Sequence, residues 1–465
     1  MAPKFGTSGL RGLANELTDE LCASYVRAFL KGLPDCQTLL VGRDLRNSSV
    51  RISDAVISGA HSLGIDTVDC GELPTPALAL AALARKAPCV MVTGSHIPAD
   101  RNGLKFYTET GEITKDDETA IAAAFAAGEP RPGNAKGHGD TDPAALQSYV
   151  NRYIDFFGPL ALQGMKIGNF QHSSVARDCL STILEGLGAT VVPFGRSDVF
   201  IPVDTEAVGA DIKNDVSGFL KNNTLDAVVS TDGDGDRPMV IDEAGNFIPG
   251  DILGVLTAIS VGAKTVVTPV SSNTMVERLG VFDQVIRTKI GSPFVIAAMA
   301  GADNQNTVGF EANGGFLLGF DAQNGTGRLP CLMTRDSLLP IIAPLVTAAY
   351  RRSTLSALVA DLPQRHTAGD RLQGIATEAS NTFVRQLTED RAMRAKFFAG
   401  VGPEASLDLT DGLRVCFSNG DIVHLRPSGN APEFRCYAES ASSATAAKLV
   451  ETTLANVRAY QERTA

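Results

Sequence analysis

The chain has 465 residues, 44% of them hydrophobic and 20% charged, with 45 glycines and 23 prolines. That is enough for three or four domains with several packed cores, and it excludes both a disulfide-stapled miniprotein and a chain disordered throughout. The net charge of −11 argues against nucleic acid or an anionic membrane as the main partner, so an anionic substrate must meet positive groups concentrated locally.

The eight cysteines, Cys22, Cys36, Cys70, Cys89, Cys179, Cys331, Cys416 and Cys436, are far apart and make no Cys-x-x-Cys pair. They read as reduced, mostly buried thiols. With no apolar secretory core at the N-terminus and no run long enough to span a bilayer, a cytoplasmic location is expected.

From the N-terminus, the motif Phe5-Gly6-Thr7-Ser8-Gly9-Leu10-Arg11-Gly12 is followed by an internal repeat. Leu39 to Gly42, Ser48-Ser49, Leu63-Gly64 and Gly71 recur as Met165 to Gly168, Ser173-Ser174, Leu187-Gly188 and Gly195, at spacings of 124 to 126 residues. A third, shorter copy runs from Thr265-Val266-Val267 through Ser271-Ser272 and Leu279-Gly280 to Val285-Ile286-Arg287. An apolar β-branched run before a serine pair predicts a strand leading into a serine-capped helix, hence a mixed α/β unit. Each copy then reaches another short strand and a polar, glycine-rich loop: Thr93 to His96, Asp232 to Asp236, and Glu311 to Gly315. Three equivalent loops are expected to converge on one site.

The fourth segment differs. Gly412 to Phe417, Asp421 to Leu425 and Glu433 to Tyr437 predict strands around an Asn419-Gly420 hairpin, with a helix from about Ser442 to Arg458. The boundaries are expected at 1–145, 146–250, 251–362 and 363–465, with the Gly/Pro-rich stretch from Gly128 to Pro143 as the first linker.

Alternation turns Asp232, Asp234 and Asp236 to one side of an extended segment, a hard-oxygen set that selects Mg²⁺ or Ca²⁺. An EF-hand loop would place Glu243 at its twelfth position, but Arg237 and Pro238 stand where the sixth-position turn needs glycine. Ser95 lies beside His96 with Lys105 following, yet a serine hydroxyl is a weak nucleophile without a base or metal, and there is no Gly-x-Ser-x-Gly elbow. Arg426, Ser428, Gly429 and Asn430 form a loop of guanidinium, hydroxyl and backbone N–H groups suited to phosphate. Glu311 and Asn313 offer partners for sugar hydroxyls.

Five motifs in this order resemble the α-D-phosphohexomutase superfamily along nearly the whole chain, most closely its bacterial phosphomannomutase branch. The resemblance implies three α/β domains and a fourth, ferredoxin-like or TATA-binding-protein-like α+β domain around a central cleft. It implies that Ser95 carries a phosphoryl group and that Mg²⁺ is held by Ser95, Asp232, Asp234 and Asp236. Arg11, His96 and Lys105 would then assist proton transfer and charge stabilisation, while Arg237, Lys289, Glu311, Asn313 and the Arg426 loop hold the substrate.

The implied reaction interconverts mannose 6-phosphate and mannose 1-phosphate through a sugar 1,6-bisphosphate, with glucose phosphates also accepted, by a monomer or small homo-oligomer. Ile97 stands where most members have Asn, and Asn313 and Gly315 where many have Ser and His. The second departure bears on sugar identity; Ser8, where phosphoglucosamine mutases usually carry Asp, mildly disfavours that activity. The rivals are a phosphoglucomutase or phosphoglucosamine mutase of the same fold, a metal-dependent sugar-phosphate phosphatase, and an inactive phosphosugar-binding relative.

Overall fold

The computed structural model describes residues 3–6, 9–128, 136–302, 306–428 and 432–464. The three repeats share one strand plan. In the first, Thr38–Arg43 pairs in parallel with Asp66–Glu72 on one side and Cys89–Val92 on the other, and Arg101–Thr108 adds antiparallel to Cys89–Val92. Lys166–Phe170, Thr190–Phe194, Ala227–Thr231 and Pro238–Asp242 repeat that order. So do Thr265–Pro269, Gln284–Thr288, Thr307–Phe310 and Phe316–Leu318. The third copy is shorter because its first helix, Met275–Arg278, is a single turn, against Ser49–His61 and Arg177–Gly186 in the others.

Two local expectations are corrected. The repeated serines do not cap the helices through helix N–H groups in the first copy: Ser49 Oγ donates to Asp44 Oδ1 at 2.6 Å, and Ser48 Oγ accepts from Asn102 at 2.8 Å. In the second copy Ser174 Oγ accepts from Ala176 N at 3.0 Å, just ahead of the helix. The Gly/Pro-rich stretch is also more than a linker, since Gly139–Thr141 pairs in parallel with Asp66–Glu72 and completes the N-terminal sheet. Residues 129–135 lie outside the described ones.

The three repeats share a core. One apolar cluster runs from Leu40 and Cys89 through Tyr149, Ile167 and Val229 to Val266, Phe310 and Ile342 without a break. The helix Ala144–Phe157 helps to join them by packing against both Thr75–Arg85 and Arg177–Gly186.

The C-terminal unit keeps its own core, from Leu372 to Val457. Its five antiparallel strands lie in the order His366–Gln373, Glu433–Ser440, Ile422–Pro427, Leu413–Phe417 and Glu404–Asp408. Ser443–Thr464 is the expected last helix. Gly420, at φ 86°, closes a three-residue hairpin loop in which its N–H donates to Phe417 O; a left-handed residue at that point is what such a loop needs. Strand alternation puts Leu413, Val415, Val423, Leu425, Phe434 and Cys436 in the core and leaves Arg414, His424, Arg426, Arg435 and Tyr437 for the opposite face. Among the described residues no helix is long and apolar enough to cross a membrane.

Within the third unit, buried Asp251 accepts Asn273 N–H at 2.8 Å through Oδ2, while its Oδ1 has no partner among the described residues. Burial pushes this carboxyl up to about 6, against the pull of the Asn273 and Ile252 N–H groups. The folded-state value lies above the unfolded 3.8, so its stabilising contribution is full below that value and is lost as pH rises through about 6. Asp251→Asn keeps the shape without the charge. It is expected to raise Tm relative to the parent more at pH 8 than at pH 4.5, read by thermal unfolding; an equal shift at both would exclude the assignment.

Candidate active site

The three glycine-rich loops all leave the carboxyl end of the third strand of their repeat, the edge where open α/β sheets place ligands. They meet there. Ser95 Oγ donates to Asp232 Oδ2 at 2.9 Å and lies 3.3 Å from His96 Nδ1. Asp232, Asp234 and Asp236 are fully buried and each offers an oxygen within 4.8 Å of the others.

Ser95 has φ 52°, a backbone region that costs a non-glycine residue about 1–3 kcal/mol unless its surroundings impose it. The surroundings here are Arg46. Its guanidinium donates to the carbonyls of Ser95, Ile97, Pro98 and Arg101 at 2.6–3.0 Å. Asp44 pairs with Arg46 at 3.2 Å and also accepts from Thr93 Oγ1 and Ser49 Oγ, while the Phe200 ring covers the guanidinium at 3.8 Å. Gly233 is where the metal loop passes this assembly: a Cβ there would lie 2.7 Å from Phe200 and 3.0 Å from Ser95 O.

Positive charge closes around the aspartates from two other elements. Lys105 Nζ sits 2.5 Å from Asp234 Oδ2 and 2.6 Å from Asp236 Oδ2, and Arg335 Nη2 sits 2.8 Å from Asp236 Oδ2. Burial, then Asp234 and Asp236, push Asp232 well above the usual carboxylate range. Burial acts the same way on Asp234, but Lys105 and Thr75 outweigh it and hold that carboxylate below its usual value. Two buried oxygens, Asp234 Oδ1 and Asp236 Oδ1, have no hydrogen-bond partner among the described residues. Hard, orphaned carboxylate oxygens beside a serine hydroxyl fit a divalent cation.

His96 is held far below the ordinary imidazole value, first by Arg237, then by burial and Arg11, and is therefore neutral. Burial, with Arg237 next, lowers Arg11 to about 10. Arg237 Nε lies 3.8 Å from Asp236 Oδ1. Glu243 bonds to Ser356, well away from the EF-hand role.

In the third loop, Glu311 is buried 3.6 Å from Arg335 Nη1. Asn313 serves the loop itself: its Oδ1 accepts Gly315 N–H at 2.9 Å and its Nδ2 lies 3.4 Å from Glu311 Oε2. Lys289 is exposed, 5.8 Å from the Phe294 ring, and bonds to none of the other candidates among the described residues. Arg426 pairs with Asp411 at 2.9 Å and Ser428 is buried; Gly429 and Asn430 lie outside the described residues.

A phosphomannomutase of Sinorhizobium fredii is 46% identical over 454 residues, covering 95% of each chain. The chain belongs to the phosphoglucomutase/phosphomannomutase family. A phosphomannomutase of Salmonella muenchen is 44% identical, covering 98% of this chain and 95% of its own. The family models for α/β/α domain I, α/β/α domain III and the C-terminal domain match residues 2–132, 249–366 and 377–455. A phosphoglucomutase/phosphomannomutase family protein of Burkholderia thailandensis has the same fold, with a TM-score of 0.78 at 22% identity over 98% of this chain and 97% of that one.

Sequence reasoning missed several residues that the structure places at or beside the candidate ones. Arg335 had a faint signal, an Arg-Asp pair closing the strand Leu332–Asp336, whose first two residues are apolar. Arg435 and Tyr437 had another, the period-2 pattern that sets them opposite the core beside Arg426; register places Arg435 directly across from both Arg426 and Arg371. Asp44 and Arg46 had none, because only the folded chain brings them under the serine loop.

Arg46→Ala would strip four carbonyls of their donor and leave Asp44 buried without its cation. A stability loss of about 3–5 kcal/mol is expected in denaturant unfolding. A loss below about 1 kcal/mol, the scale of a surface pair, would mean that other contacts hold the loop.

Proposed function

We propose that the protein is a Mg²⁺-dependent phosphomannomutase that interconverts mannose 6-phosphate and mannose 1-phosphate through a sugar 1,6-bisphosphate and also turns over glucose phosphates. One observation carries the reading: Ser95 Oγ bonds to Asp232 in a cluster where Asp234 and Asp236 each keep an orphaned, buried oxygen. Its relatives' phosphomannomutase names support the sugar.

Asp232, Asp234 and Asp236 would hold the Mg²⁺ together with an oxygen of phosphorylated Ser95. The ion supplies charge neutralisation for a phosphoryl group, whose transfer depends mostly on positioning and electrostatics. In the transfer the bond from Ser95 Oγ to phosphorus breaks as a sugar oxygen bonds to the phosphorus, and the sugar hydroxyl gives up its proton. His96, whose Nδ1 lies 3.3 Å from Ser95 Oγ, assists that proton transfer together with Arg11 and Lys105. Lys105, Arg11 and Arg237 steady the phosphoryl charge. The sugar then turns end for end, and its other phosphate returns to Ser95.

Glu311, oriented by Asn313 and Arg335, grips the sugar hydroxyls. Lys289, Arg426 and Ser428 hold the phosphate that is not transferred, with Gly429 and Asn430 completing that loop. The four units, 1–145, 146–250, 251–362 and 363–465, each bring one loop to the cleft, so a monomer suffices. Eight unpaired thiols suit the cytoplasm.

Purified protein assayed with mannose, glucose and glucosamine phosphates, with and without a sugar 1,6-bisphosphate, is expected to turn over the first two. Its intact mass is expected to include a population heavier by one phosphate, absent in Ser95→Ala along with turnover. Chelation is expected to stop the reaction and Mg²⁺ to restore it. Full activity in Ser95→Ala, or indifference to chelator, would sink the mechanism.

Mannose and glucose differ only at C2, so a residue that grips other hydroxyls cannot tell them apart. Glu311→Ala is expected to harm both sugars about equally in initial-rate assays. A selective loss for one sugar would show that Glu311 reads C2.

A further inference from the structure

A single oxygen of Asp411 joins two units. Oδ2 lies 2.9 Å from Arg426 Nε within the C-terminal sheet, and it accepts Ile290 N–H at 3.0 Å from the loop that carries Lys289. The Asp411 and Arg426 side chains are 16% and 17% exposed, so the pair is largely shielded from water. Asp411 is also fixed from behind, because its backbone carbonyl accepts from His424 Nε2 on the Arg426 strand.

A guanidinium carries its five N–H donors in a rigid fork, and the ion pair at Nε holds the Arg426 fork against Asp411. Among the described residues, the Nη groups of Arg426 have no protein hydrogen-bond partner. They are therefore left to an incoming anion, in the two-point geometry that suits phosphate. Elsewhere across this boundary Glu439 takes Thr274 N–H, and Asn273 reaches Arg365 O at 2.8 Å.

We propose that Asp411 is a positioning residue for the phosphate grip: it aims Arg426 through Nε and, with the same oxygen, secures the Lys289 loop against the C-terminal unit, so that both cations are presented together. The inference rests on the reading of the Arg426 loop as the site of the substrate's second phosphate.

The test is a double-mutant cycle on the full chain with Asp411→Asn, Arg426→Ala and the pair, reading KM, kcat, inhibition by inorganic phosphate and the denaturant midpoint. Asp411→Asn keeps the shape and an acceptor but removes the charge. It is expected to raise KM in both directions and weaken phosphate inhibition by about tenfold or more, with a smaller change in kcat and an unmoved midpoint. In the Arg426→Ala background it is expected to add almost nothing.

A parental KM in Asp411→Asn, or effects that simply add, would overturn the role of Asp411 while leaving the Arg426 loop as proposed. A fall in midpoint and kcat with KM unmoved would make Asp411 a structural residue and overturn the proposal likewise. A parental KM in Arg426→Ala would instead remove the phosphate reading on which the proposal stands.

Discussion

Three carboxylates buried within 4.8 Å of one another repel strongly, and everything around them answers that repulsion. Lys105 arrives from the first repeat and Arg335 from the third, so the charge balance of a loop in the second repeat requires all three to be in register. A buried charge cluster gains its stability only when every partner is in place. The two oxygens without a partner among the described residues are what this balance leaves over.

The shared core explains how such register is kept. A cluster continuous from Leu40 to Leu362 binds the three repeats as one body, so distances such as Ser95 to Asp232 are set by packing. The C-terminal unit, with its separate core from Leu372 to Val457, meets that body through polar contacts such as Glu439 with Thr274 and Asp411 with Ile290.

Much of the fold was legible because repetition and alternation are local properties. Spacings of 124 to 126 residues marked the repeat, and the β-branched runs before each loop marked the strands whose ends carry Ser95, Asp232 and Glu311. The serine pairs misled as helix caps in the first repeat because Asp44, just ahead of the helix, and Asn102, remote in sequence, engage their hydroxyls. The strand Gly139–Thr141 was hidden in a Gly/Pro-rich stretch, since its pairing with Asp66–Glu72 is wholly tertiary.

The sequence by itself determined the chemical inventory: a serine next to an imidazole, three alternating carboxylates, a glycine-flanked glutamate and an arginine loop, each in a turn that its own neighbours dictate. Only the tertiary structure decided which charged groups complete that inventory. Arg46, Arg335 and Asp411 meet their partners across 49 to 121 residues of chain, and sheet register sets Arg435 opposite Arg426. Periodicity carries no information over such separations, because Coulombic and hydrogen-bond partners are chosen by distance in space.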